Sequence, residues 1–158
     1  MKIKIIKVTL AAIILIKVMA CNLSAGSYPY AEIYTLNYPE EKVKNAVAKF
    51  KEANPEYIVP KVKINGQGNW ELKDEKPNES NNLTMFYFYY AKENQIILTW
   101  IRAKGNNKTT FAFVSINDGL NIGNWKEINK DFNSIEDLEE KTKFEKRILR
   151  KIEESIVK

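Results

Sequence analysis

Histidine is absent from the 158 residues and cysteine occurs once. Without an imidazole there is no histidine general acid or base, no Ser-His or Cys-His nucleophile pair and no His/Cys zinc site. A lone cysteine also forbids a disulfide within the chain, so stability rests on packing. Long apolar runs are missing as well. The most hydrophobic stretch, Val8 to Ile16, is nine residues long, short of the roughly 20 that a membrane-crossing helix requires. The expectation is therefore no cofactor, no metal and no catalytic residue of the usual kinds. An enzyme built on this sequence would have to work with carboxylates alone, as a glycosidase does.

The single cysteine has a marked setting. Lys2, Lys4 and Lys7 form a basic lead, Val8 to Ile16 an apolar core, and the small Ala20 stands directly before Cys21, the order of parts that defines a secretory signal. The residues Val18-Met19-Ala20-Cys21 resemble the lipobox of bacterial lipoproteins. The resemblance implies that residues 1–20 are removed as a signal peptide. It also implies that Cys21 receives fatty acyl chains such as palmitate, leaving the protein bound to a membrane through its lipid. A bacterial envelope address follows from the same resemblance. Asn22-Leu23-Ser24-Ala25-Gly26 contains neither an acidic cluster nor an aspartate after the cysteine, and the sorting rules of such proteins then place the domain on the outer membrane facing the periplasm.

The chain holds 25 Lys+Arg against 20 Asp+Glu, but Lys2, Lys4, Lys7 and Lys17 leave with the signal, and 21 basic residues then face 20 acidic ones. A near-neutral mature chain carries no electrostatic footprint for nucleic acid. The 138 residues from Cys21 onward suit one domain with a proper core. Residues 21–31, small and polar around Ser24-Ala25-Gly26-Ser27, read as a flexible tether, and residues 32–158 as a single domain.

Within that domain, Glu32 to Tyr38 alternates as a first strand. A helix is expected from Pro39, with Asn37 as its candidate cap, Glu40 and Glu41 in its first turn, and Val43, Ala46, Val47, Phe50 and Ala53 along one apolar stripe. Tyr57 to Ile64, interrupted by Pro60, reads as an edge strand or an extended connector. Gly66 to Asn82 is expected to be a long surface loop whose Trp70 either pins it to the core or meets a ligand. Leu83 to Tyr90, Gln95 to Arg102 and Thr109 to Ile116 are β-rich runs joined by short turns, hence antiparallel neighbours. Asn117 to Asn124 reads as a turn, because its one carboxylate and its spacing do not make a calcium loop. The chain closes with a helix whose expected capping box is Ser134 and Asp137 and whose apolar side carries Leu138, Phe144, Ile148, Leu149, Ile152 and Ile156.

This order of elements argues for an α+β fold of two layers, an antiparallel sheet of about four to five strands with an N-terminal-half helix and a long C-terminal helix on one face. The central strands are apolar on both sides, with Phe86, Phe88 and Tyr90 on one and Met85, Tyr87 and Tyr89 on the other. Helices over one side leave the other as a surface. Tyr87, Tyr89, Trp100 and, from the long loop, Trp70 are the candidate binding residues, since Tyr and Trp suit a half-wet position; the alternative is that they are simply buried. The functional expectation is a non-catalytic, membrane-anchored binding or accessory protein whose partner is an envelope protein or an apolar or aromatic ligand. An inhibitor or immunity-type lipoprotein is an alternative within that class, and a carboxylate-based envelope hydrolase is the alternative outside it.

Overall fold

A computed structural model describes residues 28–76 and 82–157. The expected signal peptide, Cys21, residues 22–27 of the expected tether and residues 77–81 of the expected loop lie outside the described residues. Eight strands are described: β1 (Glu32–Leu36), β2 (Val62–Ile64), β3 (Gln67–Trp70), β4 (Thr84–Tyr90), β5 (Gln95–Ala103), β6 (Thr109–Asp118), β7 (Asn121–Ile122) and β8 (Trp125–Glu127). The helices are α1 (Glu40–Ala53), α2 (Ser134–Phe144) and α3 (Arg150–Val157), with a 3-10 turn at Pro55–Tyr57 and a π-helical turn, Glu145–Leu149, joining α2 to α3.

The main sheet runs β1-β6-β5-β4 with every pair antiparallel, and β8 lies beside the far end of β6 on the flank that β1 occupies at the near end. One face is covered by the helices. Phe86, Phe88 and Tyr90 from β4, Ile97 and Ile101 from β5, and Phe111, Phe113 and Ile116 from β6 meet Val43, Ala46, Val47 and Phe50 of α1 and Phe144, Ile148, Leu149 and Ile152 of the C-terminal helix. Phe144 stacks on Phe113 with ring centroids 4.6 Å apart. The two-layer α+β arrangement expected from the element order is thus the observed one. Thr99 is a fully buried polar residue of this layer, and its hydroxyl donates to the Phe86 carbonyl at 3.0 Å, which removes the penalty of burying it.

The pairing of β5 with β6 steps from Leu98–Ser115 to Thr99–Phe113, so Val114 is an extra residue, a bulge that increases local twist. Phe113 and Ile116 face the helices, while Val114 joins the cluster on the opposite face. Asn117, fully buried at the end of β6, closes the turn after it: its Oδ1 accepts from the Gly123 and Asn124 amides at 3.2 and 3.1 Å, and its Nδ2 donates to the Gly119 carbonyl at 2.9 Å.

Several local expectations are corrected. Pro39 is itself the N-cap of α1 and no side chain caps that end, so Asn37 has no such role; Ala53, at the last turn, is exposed. The expected loop from Gly66 holds a strand: Asn65 and Gly66 take φ of 51° and 75°, a two-residue hairpin turn of the kind Asn-Gly favours, and β3 folds back on β2, which also pairs in parallel with β7 as a small second sheet. The C-terminal capping box is formed one residue earlier than expected, by Asn133 and Glu136. That shift turns Asp137 inward, where it accepts from the Asn129 amide at 2.7 Å and pairs with Lys141 at 2.6 Å. Lys141 also reaches Glu32 at 2.9 Å, so the first turns of α2 face the sheet with a polar network, and Leu138 is left 65% exposed.

Candidate functional site

The face of the sheet turned away from the helices carries a second, smaller cluster. Leu83, Leu98, Trp100, Ala112 and Val114 are its buried members, and Tyr28, Ala31, Met85, Tyr87 and Trp125 pack against it half-buried. Register explains the grouping. Met85 stands opposite Trp100, which stands opposite Ala112, which stands opposite Ile33; one row along, Tyr87, Leu98, Ser115 and Glu127 align; the next row is Tyr89, Ile96, Asn117 and Trp125. Directly opposed residues share a face, so alternation along β4 and β5 is what delivers these aromatics to one surface.

The four candidate residues end in different situations. Tyr87 is half-buried at the rim of the cluster, and burial, with the neighbouring Tyr28 adding to it, raises its hydroxyl above the ordinary tyrosine value. Tyr89 shares the face but its hydroxyl is engaged, donating to Asn94 Oδ1 at 2.8 Å. Trp100 is only 7% exposed. It forms the floor of the cluster, with the Arg102 guanidinium 5.5 Å from its ring, and its buried indole N–H finds no acceptor among the described residues. Trp70 is elsewhere, on β3 of the small sheet, 56% exposed, with its ring lying against Gly68; it does not pin its segment to the core. Structure thus unites Tyr87 and Trp100, places Tyr89 in the adjoining row and separates Trp70 from all three.

Three half-buried contributors were not singled out from sequence. Trp125 reaches the face because β8 pairs with β6. Tyr28 and Ala31 fall in the expected tether, yet they fold onto the cluster, and the Tyr28 hydroxyl lies 4.0 Å from Met85 Sδ. The visible signal was the Tyr28-Pro29-Tyr30 sequence, too aromatic for a solvated linker.

The rim on the β4 side is built by the segment after β3. Glu75 forms an isolated bridge with Met85, whose amide donates to the Glu75 carbonyl at 2.9 Å. Asp74 accepts from the Tyr87 amide at 3.0 Å, and Lys51 of α1 crosses the edge to bind Asp74 at 2.5 Å and the Tyr87 carbonyl at 2.6 Å. The outward amides of Met85 and Tyr87 and the Tyr87 carbonyl are thereby occupied. Burial holds the Lys51 ammonium below its ordinary pKa in spite of the opposing pull of Asp74.

The helix layer offers a shallow hollow of about 510 Å³ lined by Leu138, Glu139, Thr142, Lys143, Lys146 and Arg147. Its cations are largely spoken for: Lys143 pairs with Glu140 at 2.7 Å and Arg147 with Glu93 at 2.8 Å. Burial works against the ionised form of Glu93, but the hydrogen bond and charge of Arg147 prevail and keep its carboxyl below the ordinary value. Among the described residues no helix is long and apolar enough to cross a membrane. Comparison of the chain with protein-family models, with curated proteins and with solved structures finds no match.

Proposed function

We propose that this chain is a lipid-anchored, non-catalytic binding protein of the bacterial envelope, held through Cys21 to the outer membrane on its periplasmic side, and that its recognition surface is the sheet face opposite the helices. One observation carries the surface. Among the described residues, Tyr28, Met85, Tyr87 and Trp125 remain half-buried around Trp100 on a face that no helix covers, and the Trp100 N–H has no acceptor. Apolar and aromatic area left in this state favours a partner, and an unmet buried donor favours one that brings an acceptor. The lipobox-like residues before Cys21 supply the anchor.

What supports a non-catalytic reading is the state of the shifted carboxylates. Catalysis by carboxylates needs one acid with a raised pKa beside a second, whereas Glu93 and Asp118 both lie below their ordinary values, each tied to a basic or amide side chain. The test has two arms. Labelled palmitate incorporated by the wild type and lost in Cys21→Ser establishes the anchor. A photo-crosslinking residue at Tyr87 in intact cells should give a discrete adduct, while the same residue at Leu138 on the helix layer should not; equal or no adduct at both positions would refute the surface.

A further inference from the structure

We infer that the occupant of this face is the surface of the anchoring bilayer, specifically its anionic headgroups, so that the domain lies sheet-down on the membrane with its helices outward. The inference rests on the lipid-anchor reading and deepens it. Tyr28 is seated on the face against Met85, and Cys21 precedes it by seven residues, a span of roughly 25 Å at full extension. The acyl chains therefore enter the bilayer from a point that the arm ties to this face. Reaching it helices-down would require the arm to travel round the sheet edge and past a helix about 10 Å thick.

Charge agrees with that orientation. Ile33, 48% exposed, shares a row with Trp100, and next to it Arg102 stands over the Trp100 ring. Lys104 and Lys108 follow in the β5–β6 turn, all three exposed and none in an ion pair among the described residues. The acids near this face are engaged or offset. Glu40, which accepts from the Ala103 amide, pairs with Lys44; Asp74 pairs with Lys51 and Glu127 with Lys130. Glu71 and Glu75 alternate with Lys73 and Lys76. A cationic end beside exposed apolar and aromatic residues is the composition that settles at an anionic headgroup layer. The tether holds the domain at high effective concentration near the surface, so weak contacts are sufficient.

The experiment uses the full acylated chain in vesicles of phosphatidylcholine and phosphatidylglycerol. With the Cys21 sulfur taken by the anchor, Ile33→Cys or Ile135→Cys supplies one free thiol for an environment-sensitive fluorophore; Ile135, 72% exposed on α2, reports the helix layer. A lipid-borne quencher should quench the Ile33 label several-fold more than the Ile135 label. The triple variant Arg102→Gln/Lys104→Gln/Lys108→Gln should lower the docked-to-undocked ratio by roughly 100-fold, about fivefold for each of the three charges lost, while the protein still floats with the vesicles. Equal quenching at the two positions in an acylated, floating protein overturns the orientation and leaves the anchor standing. Mass spectrometry showing no acyl group on Cys21 overturns both. An adduct at Tyr87 in cells that contains a protein instead of lipid keeps the recognition surface and overturns the bilayer as its occupant.

Discussion

Removing Asp74 should cost the fold more than removing Lys51, although the two form one ion pair. The Lys51 side chain is 14% exposed and that of Asp74 29%. The ammonium sits 4.8 Å from the Phe88 ring centroid and is held below its ordinary pKa by burial; its charge is already an expense, tolerated because Asp74 and the Tyr87 carbonyl compensate it. Asp74→Ala leaves that charge with only the Tyr87 carbonyl as partner and the Tyr87 amide without its acceptor. Breaking one side of a fully buried pair costs about 3–5 kcal/mol. The partial exposure of Asp74 and the reach of the lysine stem toward water reduce this to about 2–3 kcal/mol. Lys51→Met keeps the stem's packing and ends the desolvation of the ammonium. Asp74 can then turn to water and keeps the Tyr87 amide, for a net cost of about 1 kcal/mol or less.

Urea denaturation at pH 7 of a chain starting at residue 21, with Cys21→Ser, measures both. In a thermal scan the Asp74→Ala loss is roughly 6–12 °C for a domain of this size. pH adds a signature. A lysine whose folded pKa lies below the unfolded 10.5 weakens the fold most where both states are charged. The deficit fades as pH climbs from the folded value toward the unfolded one. The Asp74→Ala deficit should therefore shrink between pH 7 and pH 10. A Lys51→Met variant as unstable as Asp74→Ala, or an Asp74→Ala deficit that grows with pH, would refute the reasoning.

Other outcomes follow from the same geometry. Asn133→Ala should destabilise the domain by about 1 kcal/mol through loss of the capping box, while Ser134→Ala changes it by a few tenths at most; chemical denaturation separates the two assignments of the helix start. Phe144→Ala, at a fully buried ring stacked on Phe113, should cost about 3–5 kcal/mol, enough to lower soluble yield sharply. Tyr34 donates to Glu145 at 3.2 Å, and burial, with the Glu145 charge added, lifts its hydroxyl well above 10.0. A raised acid keeps its full contribution below the unfolded pKa and loses it as pH rises beyond, so stability should fall above about pH 10. Tyr34→Phe should make that fall shallower in alkaline denaturation.

The central sheet was legible because Phe86 to Tyr90, Ile96 to Ile101 and Phe111 to Ile116 are β-formers joined by turns too short for anything but antiparallel neighbours. α1 was legible from Val43, Ala46, Val47 and Phe50 at helical spacing. The start of α2 was off by one because Asn133-Ser134 followed by Glu136-Asp137 contains two overlapping capping boxes; local chemistry favours both, and the long-range contacts of Asp137 with Asn129 and Lys141 select one. The small sheet escaped because β2 and β7 are two or three residues each and pair across a large sequence separation, although Asn65-Gly66 announced the hairpin. At the candidate site, the aromatic identities were readable but the sorting was not. Trp100 is floor and Tyr87 rim because of what lies over them, and that cover, Tyr28 and Ala31, comes from a segment whose composition read as tether.

The occupied edge of β4 has a consequence for self-association. A sheet grows by adding strands at free edges, and here Glu75, Asp74 and Lys51 block β4 at Met85 and Tyr87, leaving the flank of β1 and β8 as the open side. Copies of the folded domain joining edge to edge would meet a blocked edge after one union. Strand addition through the main sheet can then produce a pair and no filament. What guards the main sheet against edge-to-edge growth is thus a short segment, Asp74 and Glu75, together with a lysine that reaches across from α1.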